Sequence, residues 1–317
     1  MTTRQERKFK KFKKKSNINV LLVASHDWTS LGAECARSLR SIGVPAIMMV
    51  GNKHKFKYPD QGKIFKTSAE ILPYIKKATI VHFMHSQNPI PGVDLRGKKV
   101  VVSHTGTAYM KNYKKINRIF NPIVDLSIIY GFLVDRGAKN EHWLPGCVVN
   151  VEKLKPVYKR TGDKIIIGHF PSSATRTRSS KIVEIMKNVK GDFEFRYDDK
   201  LVSWEDQIKR MSACDIYLER FPDNRGFGIT VLEAAALGKI VFTPFAFEDK
   251  YREDLASEFG LVNIKSVEDL VEKTEKFISL SDDKLLEMKK KSRIWVEKHH
   301  SYKAVGKSLL ALYKSIL

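Results

Sequence analysis

Residues 225–239 read Arg-Gly-Phe-Gly-Ile-Thr-Val-Leu-Glu-Ala-Ala-Ala-Leu-Gly-Lys. Gly226 and Gly228 make a glycine-rich turn, a run of good helix formers follows, and Gly238 stops it before a short apolar run of strand character at 239–243. A turn of this kind opening a helix presents backbone N–H groups suited to a phosphate or diphosphate. Glu233 lies a turn and more inside that helix, where a carboxylate can accept two hydrogen bonds from the vicinal hydroxyls of a ribose. Composition alone also allows Glu233 to be an ordinary surface helix residue.

Outward from this segment, short β-rich runs alternate with amphipathic helices. Strands are expected at 164–170, 193–197, 215–218 and 239–243, with helices near 178–186, 204–211, 229–237, 267–278 and 283–298. The first half shows the same alternation, with strands expected at 19–24, 46–50, 79–83, 99–103 and 126–130. Thr29 or Ser30 can cap a helix with Gly32, Cys35, Ala36 and Leu39 on one face, which Gly43 ends. A Pro-, Lys- and Val-rich stretch without helical period, 144–164, reads as a linker. Two open α/β sheets in tandem are therefore expected, with ligands bound beyond the carboxyl ends of the strands.

A length of 317 residues suits two domains of roughly 150 residues each. With 43% hydrophobic and 29% charged residues the chain is neither disordered nor membranous. The charge is the anomaly: 57 Lys+Arg against 35 Asp+Glu leaves +22. Residues 1–15 carry +7, residues 16–150 carry +10 and residues 151–317 only +5, so an anionic partner is expected at the N-terminal half. Cys35, Cys147 and Cys214 have no paired or metal-ligand spacing, which reads as a reducing compartment. The basic start is followed by an apolar run of only 18–24, which excludes a signal peptide and leaves a cytoplasmic protein without a transmembrane helix as the expectation.

The 225–239 segment resembles the donor-binding motif of retaining glycosyltransferases of the GT-B fold, family 4 in particular, which reads Glu-Gly-Phe-Gly, four residues, then Glu-Ala. Residues 212–218 are similar to the strand leading into that motif, Leu144-Pro145-Gly146-Cys147-Val148 to the entry of the family's linker, and 301–317 to its closing helix. The resemblance covers nearly residues 18–317. It implies an α/β fold of two Rossmann-like domains facing a cleft, with a basic tail at 1–15, an acceptor domain at 16–150 and a nucleotide-sugar domain at 151–300. The helix at 301–317 would return to the first domain. It further implies a nucleotide-diphosphate sugar donor, expected to be a UDP-sugar, held by Gly226, Phe227, Gly228, Thr230 and Glu233. One position departs from the family: Arg225 stands where its first glutamate is found, which puts the sugar's identity and the details of catalysis in question. Arg225 can contact the diphosphate or an acidic sugar, or be solvent-exposed.

Other loops after strands carry the remaining candidates. Residues 169–181, His-Phe-Pro-Ser-Ser-Ala-Thr-Arg-Thr-Arg-Ser-Ser-Lys, are dense in hydroxyls and cations, as neutralising a leaving diphosphate requires. The family places an Arg and a Lys after this strand. Arg176, Arg178 and Lys181 are the candidates, with Ser173 as a further donor contact, and a flexible basic loop is the alternative. Ser103-His104-Thr105-Gly106-Thr107 resembles the family's loop near the reacting sugar, where His104 would bond the sugar or phosphate, or be structural. Asp27 to Gly32 resembles the loop approaching the diphosphate, where Gly32 would permit close backbone approach. His82 and His85 line an acceptor pocket or pack. No Asp-x-Asp motif sits at a strand end, and Asp198-Asp199 has no partner histidines, so no catalytic metal is expected.

Two segments of the basic half bear on the acceptor. Tyr109, Tyr113, Ile116 and Phe120 recur at helical spacing while Lys111, Lys114, Lys115 and Arg118 occupy other faces, a pattern suited to anionic lipid or to tracking phosphates. Lys53-His54-Lys55-Phe56-Lys57-Tyr58 alternates cations with rings, as stacking on bases requires. Phe9 and Phe12 repeat this in the tail, which also suits a membrane. Glycosyltransferases that modify bases in phage DNA share the GT-B architecture, and 113–140 resembles uncharacterised glycosyltransferases of bacteria and phages. A hydroxymethylated base in DNA, turned out of the duplex, is therefore the favoured acceptor. A membrane-associated enzyme acting on a lipid-linked or cell-envelope glycan is the alternative, and a degenerate protein that only binds nucleic acid is the second.

Overall fold

Short runs of Val, Ile and Leu that lack polar alternation need cover on both faces, and parallel sheets supply it. The computed structural model describes residues 18–59, 61–131, 133–144, 147–160, 162–221, 228–245 and 260–317. The basic tail, Pro145-Gly146 and Arg225-Gly226-Phe227 lie outside the described residues. The chain divides into two compact units, one running up to Val148 and including Tyr302–Leu317, the other Val149–Ser301.

In the first unit, strands β1 (Val20–His26), β2 (Ala46–Asn52), β3 (Lys63–Ile64), β4 (Ile80–Phe83), β5 (Lys99–His104), β6 (Leu126–Tyr130) and β7 (Glu141–Leu144) form one sheet. Their order is β3-β2-β1-β4-β5-β6-β7 and every neighbouring pair is parallel. Alternate residues of β1 feed two cores. Val20, Leu22 and Ala24 pack with Leu39 of helix α1 (Leu31–Ser41), whereas Leu21 and Val23 pack with Ile71 and Ile75 of α2 (Ser68–Lys77) and Phe120 of α3 (Gly106–Phe120).

In the second unit, β8 (Ile165–His169), β9 (Phe193–Tyr197), β10 (Ile216–Leu218), β11 (Ile240–Thr243) and β12 (Val262–Asn263) are again all parallel, in the order β12-β11-β10-β8-β9. Helices α4 (Ala174–Thr177), α5 (Ser179–Met186), α6 (Trp204–Ser212), α7 (Ile229–Ala236), α8 (Val267–Ile278) and α9 (Asp282–His300) belong to this unit. Among the described residues no helix is long and apolar enough to cross a membrane.

Three strands escape the sequence reading. β3 and β12 have two residues each, and β7, Glu-His-Trp-Leu, is a mixed edge strand defined by its pairing with β6, from Ser127 with Glu141 to Tyr130 with Leu144. The stretch expected as an open linker is also tied down. Val149, Val151 and Leu154 are buried, and buried Arg293 of α9 donates to the carbonyls of Val151 at 2.8 Å and Leu154 at 2.6 Å. Lys239 Nζ donates to the Val157 carbonyl at 2.7 Å and Lys289 Nζ to that of Tyr158 at 3.2 Å. Lys289 also pairs with buried Asp215 at 2.6 Å. The lysines and arginine that read as surface charge thus serve as buried donors to backbone carbonyls.

Helix α10 (Tyr302–Lys314) returns to the first unit and packs on α1. Ser38 Oγ donates to the Tyr302 carbonyl at 2.6 Å, and His82 Nδ1 lies 2.7 Å from the Tyr313 hydroxyl. The contact depends on Gly306, where a Cβ would stand 2.6 Å from the Ser38 carbonyl oxygen. Gly306→Val is expected to lower the unfolding free energy by about 1–3 kcal/mol in denaturant titration, the usual cost of overpacking. An unchanged midpoint would show that α10 does not depend on this close approach.

Candidate active site

The order β12-β11-β10-β8-β9 reverses its winding between β8 and β10, and in such sheets ligands bind at the carboxyl ends beside that switch point. The loops leaving β8 and β10 meet there: Phe221 N–H donates to the Thr177 carbonyl at 3.0 Å, and Lys181 Nζ sits 4.6 Å from the Phe221 ring centre. His169 staples them from below, with Nδ1 2.8 Å from the Leu218 carbonyl and Nε2 2.8 Å from Ser179 Oγ. The carbonyl can only accept, so Nδ1 carries the proton and Nε2 receives the Ser179 hydroxyl. Burial pushes the His169 pKa down to about 4.

The helix of the 225–239 segment starts at this point. Gly228 is its N-cap, and Gly228 N–H donates to Glu219 Oε1 at 3.0 Å. Glu219 is buried, accepts from Thr243 Oγ1 at 2.6 Å on its other oxygen, and pairs with Arg220. Sequence reading missed Glu219; the signal was a carboxylate ending an otherwise apolar strand, Ile-Tyr-Leu-Glu. Glu233 is not a surface residue: it is 4% exposed, and its Oε1 accepts the indole N–H of Trp204 at 2.6 Å. Trp204, the first residue of α6, also carries Lys153 over its ring at 4.6 Å. Thr230 and Ser173 are half-buried, whereas Arg176, Arg178 and Lys181 are exposed. Arg178 stands at φ 55° between α4 and α5, a backbone conformation uncommon for a side-chain-bearing residue.

The first sheet has its own switch point between β1 and β4. Among the described residues eight non-glycine residues have positive φ, and four of them, Thr29, Ser30, His85 and Ser86, lie in the two loops that flank it. Strain concentrated in this way marks sites where side-chain placement outweighs backbone comfort. Asp27 is buried; its Oδ1 accepts from Gly32 N–H at 2.8 Å and its Oδ2 from Ala33 N–H at 2.9 Å. Buried His85 places Nε2 2.9 Å from Asp27 Oδ1 and Nδ1 2.8 Å from Thr105 Oγ1.

Several expected site residues of this unit sit elsewhere than expected. Gly32 gives its N–H to Asp27, and the space left by its missing Cβ is filled by Met48. His104 is fully buried, stacked on Tyr109 with ring centres 4.0 Å apart, and its Nδ1 lies 2.9 Å from Ser86 Oγ. Tyr109, expected at the acceptor, is buried too and donates to Asn117 Oδ1 at 3.0 Å. Both rings are drawn inward because α3 buries the apolar face on which Tyr109 and Phe120 recur. His82 is a packing residue, bonded to Tyr313 and, at 2.7 Å, to Ser103 Oγ. Lys111, Lys114, Lys115 and Arg118 are exposed, as are Lys53, Lys55 and Lys57, with Phe56 half-buried between them. Among the described residues no three His, Cys, Asp or Glu side chains are grouped to hold a metal ion.

Burial holds His82 and His104 neutral, with pKa values of about 3, and His169 with about 4. The unfolded chain binds these protons near pH 6.5, so their contribution to stability is complete above that pH and is lost as pH falls toward 3–4. Denaturant titrations are expected to show a loss on the order of 1–2 kcal/mol per histidine between pH 7 and pH 5. A stability independent of pH over that interval would contradict the neutral buried assignment.

No family model and no curated protein matches the chain. Solved structures do. HepE of Anabaena, in complex with UDP-glucose, is similar with a TM-score of 0.64 at 11% identity, over 94% of this chain and 100% of that one. Sucrose-phosphate synthase of Thermosynechococcus elongatus is similar with a TM-score of 0.62 at 12% identity, over 94% and 99%. A glycosyltransferase of Rickettsia africae gives 0.57 at 14% identity, over 95% and 99%. Likeness over nearly the whole of each chain, together with two parallel sheets, shows that this chain has the GT-B fold.

Proposed function

We propose that this protein is a glycosyltransferase that moves a sugar from a nucleoside-diphosphate donor, a UDP-sugar, to a hydroxyl acceptor with retention at the anomeric carbon. The observation that carries the reading is the switch point of the second sheet: a glycine-led helix with a buried carboxylate, Glu233, beside a loop bearing exposed Arg176 and Arg178. The likeness to HepE, which was solved with UDP-glucose, supports the donor class. Glu233 holds the ribose, with Trp204 fixing the carboxylate's orientation through its indole N–H. The Gly226–Gly228 turn, Thr230, Ser173 and Arg225 hold the diphosphate. Arg176, Arg178 and Lys181 neutralise the charge that builds on it as it leaves, the term that dominates when bond breaking leads. The reaction needs no metal.

The acceptor in this reading is a hydroxymethylated base in DNA, modified in the cytoplasm. Charge and rings support it. His26, Trp28, His54, Phe56 and Tyr58 form a chain of ring contacts 4.7–5.8 Å apart at the ends of β1 and β2, and Lys53, Lys55 and Lys57 surround it. Trp28 is 50% exposed, as a base-stacking ring must be. A second reading, a membrane-bound acceptor, draws on Ile119 and Ile123, which are 50% and 42% exposed near Lys115 and Arg118.

Mass spectrometry after incubation with a panel of nucleotide sugars and hydroxymethylcytosine DNA, plain DNA or anionic vesicles tests these readings. Sugar added to the modified DNA alone is the expected result, undiminished by a chelator, with the product's anomeric configuration matching the donor's. Stimulation by vesicles alone favours the membrane reading, and DNA binding without consumption of any donor overturns the enzymatic one. Glu233→Ala is expected to weaken UDP binding by about tenfold or more in calorimetry, equivalent to about 1.4 kcal/mol. Unchanged affinity would remove Glu233 from the donor site.

A further inference from the structure

Two charged side chains that no motif marks, Glu219 and Arg220, stand where β10 leaves the second sheet. We propose that Arg220 binds the donor's diphosphate and that Glu219 is the positioning residue that aims it, an inference that rests on the donor site read above.

Glu219 is anchored from several sides. Its side chain is 3% exposed, its Oε1 accepts the Gly228 N–H at 3.0 Å, and its Oε2 accepts the Thr243 hydroxyl at 2.6 Å. The N–H belongs to the N-cap of α7 and the hydroxyl to the last residue of β11, so one carboxylate ties a helix start to a neighbouring strand end. The Glu219 backbone N–H donates to the Phe242 carbonyl at 3.0 Å and fixes the residue to the same strand. Withdrawing such a carboxylate would strand two donors, which is costly inside a protein. Arg220 Nη2 donates to Oε1 as well, so the guanidinium takes its orientation from this anchor.

The anchor sets the guanidinium beside the start of α7. A Cβ built on Gly228 would lie 2.9 Å from Glu219 Oε1 and 3.4 Å from Arg220 Nη2. A helix start carries partial positive charge and is ordinarily matched by acids, whereas the first turn of α7 has none and a cation stands next to it. Glu219 offsets one unit of that charge, and the helix start with the guanidinium still favours a further anion. Exposure divides the roles, because the Arg220 side chain is 18% exposed and reachable while Glu219 is sealed. Phe221, the next residue, is tied by its N–H to the Thr177 carbonyl, which joins this stretch of chain to the loop bearing Arg176 and Arg178. A guanidinium has five N–H donors in a planar fork, enough to hold Glu219 and a phosphate oxygen together.

Calorimetry with UDP and with uridine separates this role from that of a structural ion pair, since uridine lacks the diphosphate. Arg220→Gln is expected to weaken UDP binding by about tenfold to a hundredfold, the worth of a lost charge-assisted hydrogen bond, with uridine affinity and the unfolding midpoint at wild-type values. Arg220→Lys, which keeps the charge without the fork, should recover part of the loss. Glu219→Gln is expected to cost UDP affinity about as much. Combining it with Arg220→Gln should add nothing further, because the carboxylate acts through the guanidinium. Equal losses for UDP and uridine would make the pair structural, and tighter UDP binding in the Glu219→Gln variant would make Glu219 a competitor of the diphosphate; either overturns the proposal. Should Glu219→Gln not fold, the Arg220 variants decide by themselves. If the wild-type protein binds no UDP, the donor reading fails, whereas UDP binding that Arg220→Gln leaves unchanged sinks this assignment alone.

Discussion

Every strand pair in both sheets is parallel, and that constraint organises the rest of the molecule. Parallel strands require crossover helices, helices cover both faces of a sheet, and a strand so covered must be apolar along its whole length. Each sheet also directs all its strand ends one way, so the loops that can carry chemistry gather at one edge. Where the winding reverses, two such loops leave side by side. Asp27 and His85 meet at one reversal, and the Thr177 and Phe221 loops at the other.

The polar groups that this burial traps are satisfied in a consistent manner. His82, His85 and His169 each place both ring nitrogens within hydrogen-bond distance of a partner, joining strand ends to neighbouring loops or helices. Asp215 receives the Ile166 N–H and the Lys289 ammonium, while Arg293 and Lys239 close the carbonyls of the segment that follows β7. An unpaired buried charge is costly, and breaking one of these contacts leaves just that. Part of the chain's large count of basic residues thus belongs to the architecture of the second unit rather than to an anionic partner. Lys53, Lys55, Lys57, Lys111, Lys114, Lys115 and Arg118 of the first unit are, by contrast, exposed.

Much of the fold was legible in the primary structure because its signals are local. Strands at 126–130 and 193–197 and the helix at 267–278 coincide with the elements observed, announced in turn by a mostly apolar run, by alternation of aromatic with charged residues and by a 3.6-residue period. The brief strands β3 and β12 carry no such signal; pairing alone makes them strands. The depth of Glu233 in its helix was readable from the glycine turn before it, but its burial against Trp204, 29 residues away, was not. His104 and Tyr109 misled for the opposite reason: their position after a strand suggested an open site, and the apolar face of α3 drew both into the core.

By itself, the sequence determined the fold class, the alternation of elements, the glycine-led helix with its carboxylate and the concentration of positive charge in the first half. These depend on residues close together in the chain, where period and turn chemistry act. Only the tertiary structure decided which polar residues converge. Asp27 and His85 are 58 residues apart and His85 and Thr105 are 20 apart, and no spacing rule links them. Strand order joins them, because hydrogen bonding of β1 to β4 and of β4 to β5 sets their three carboxyl ends side by side.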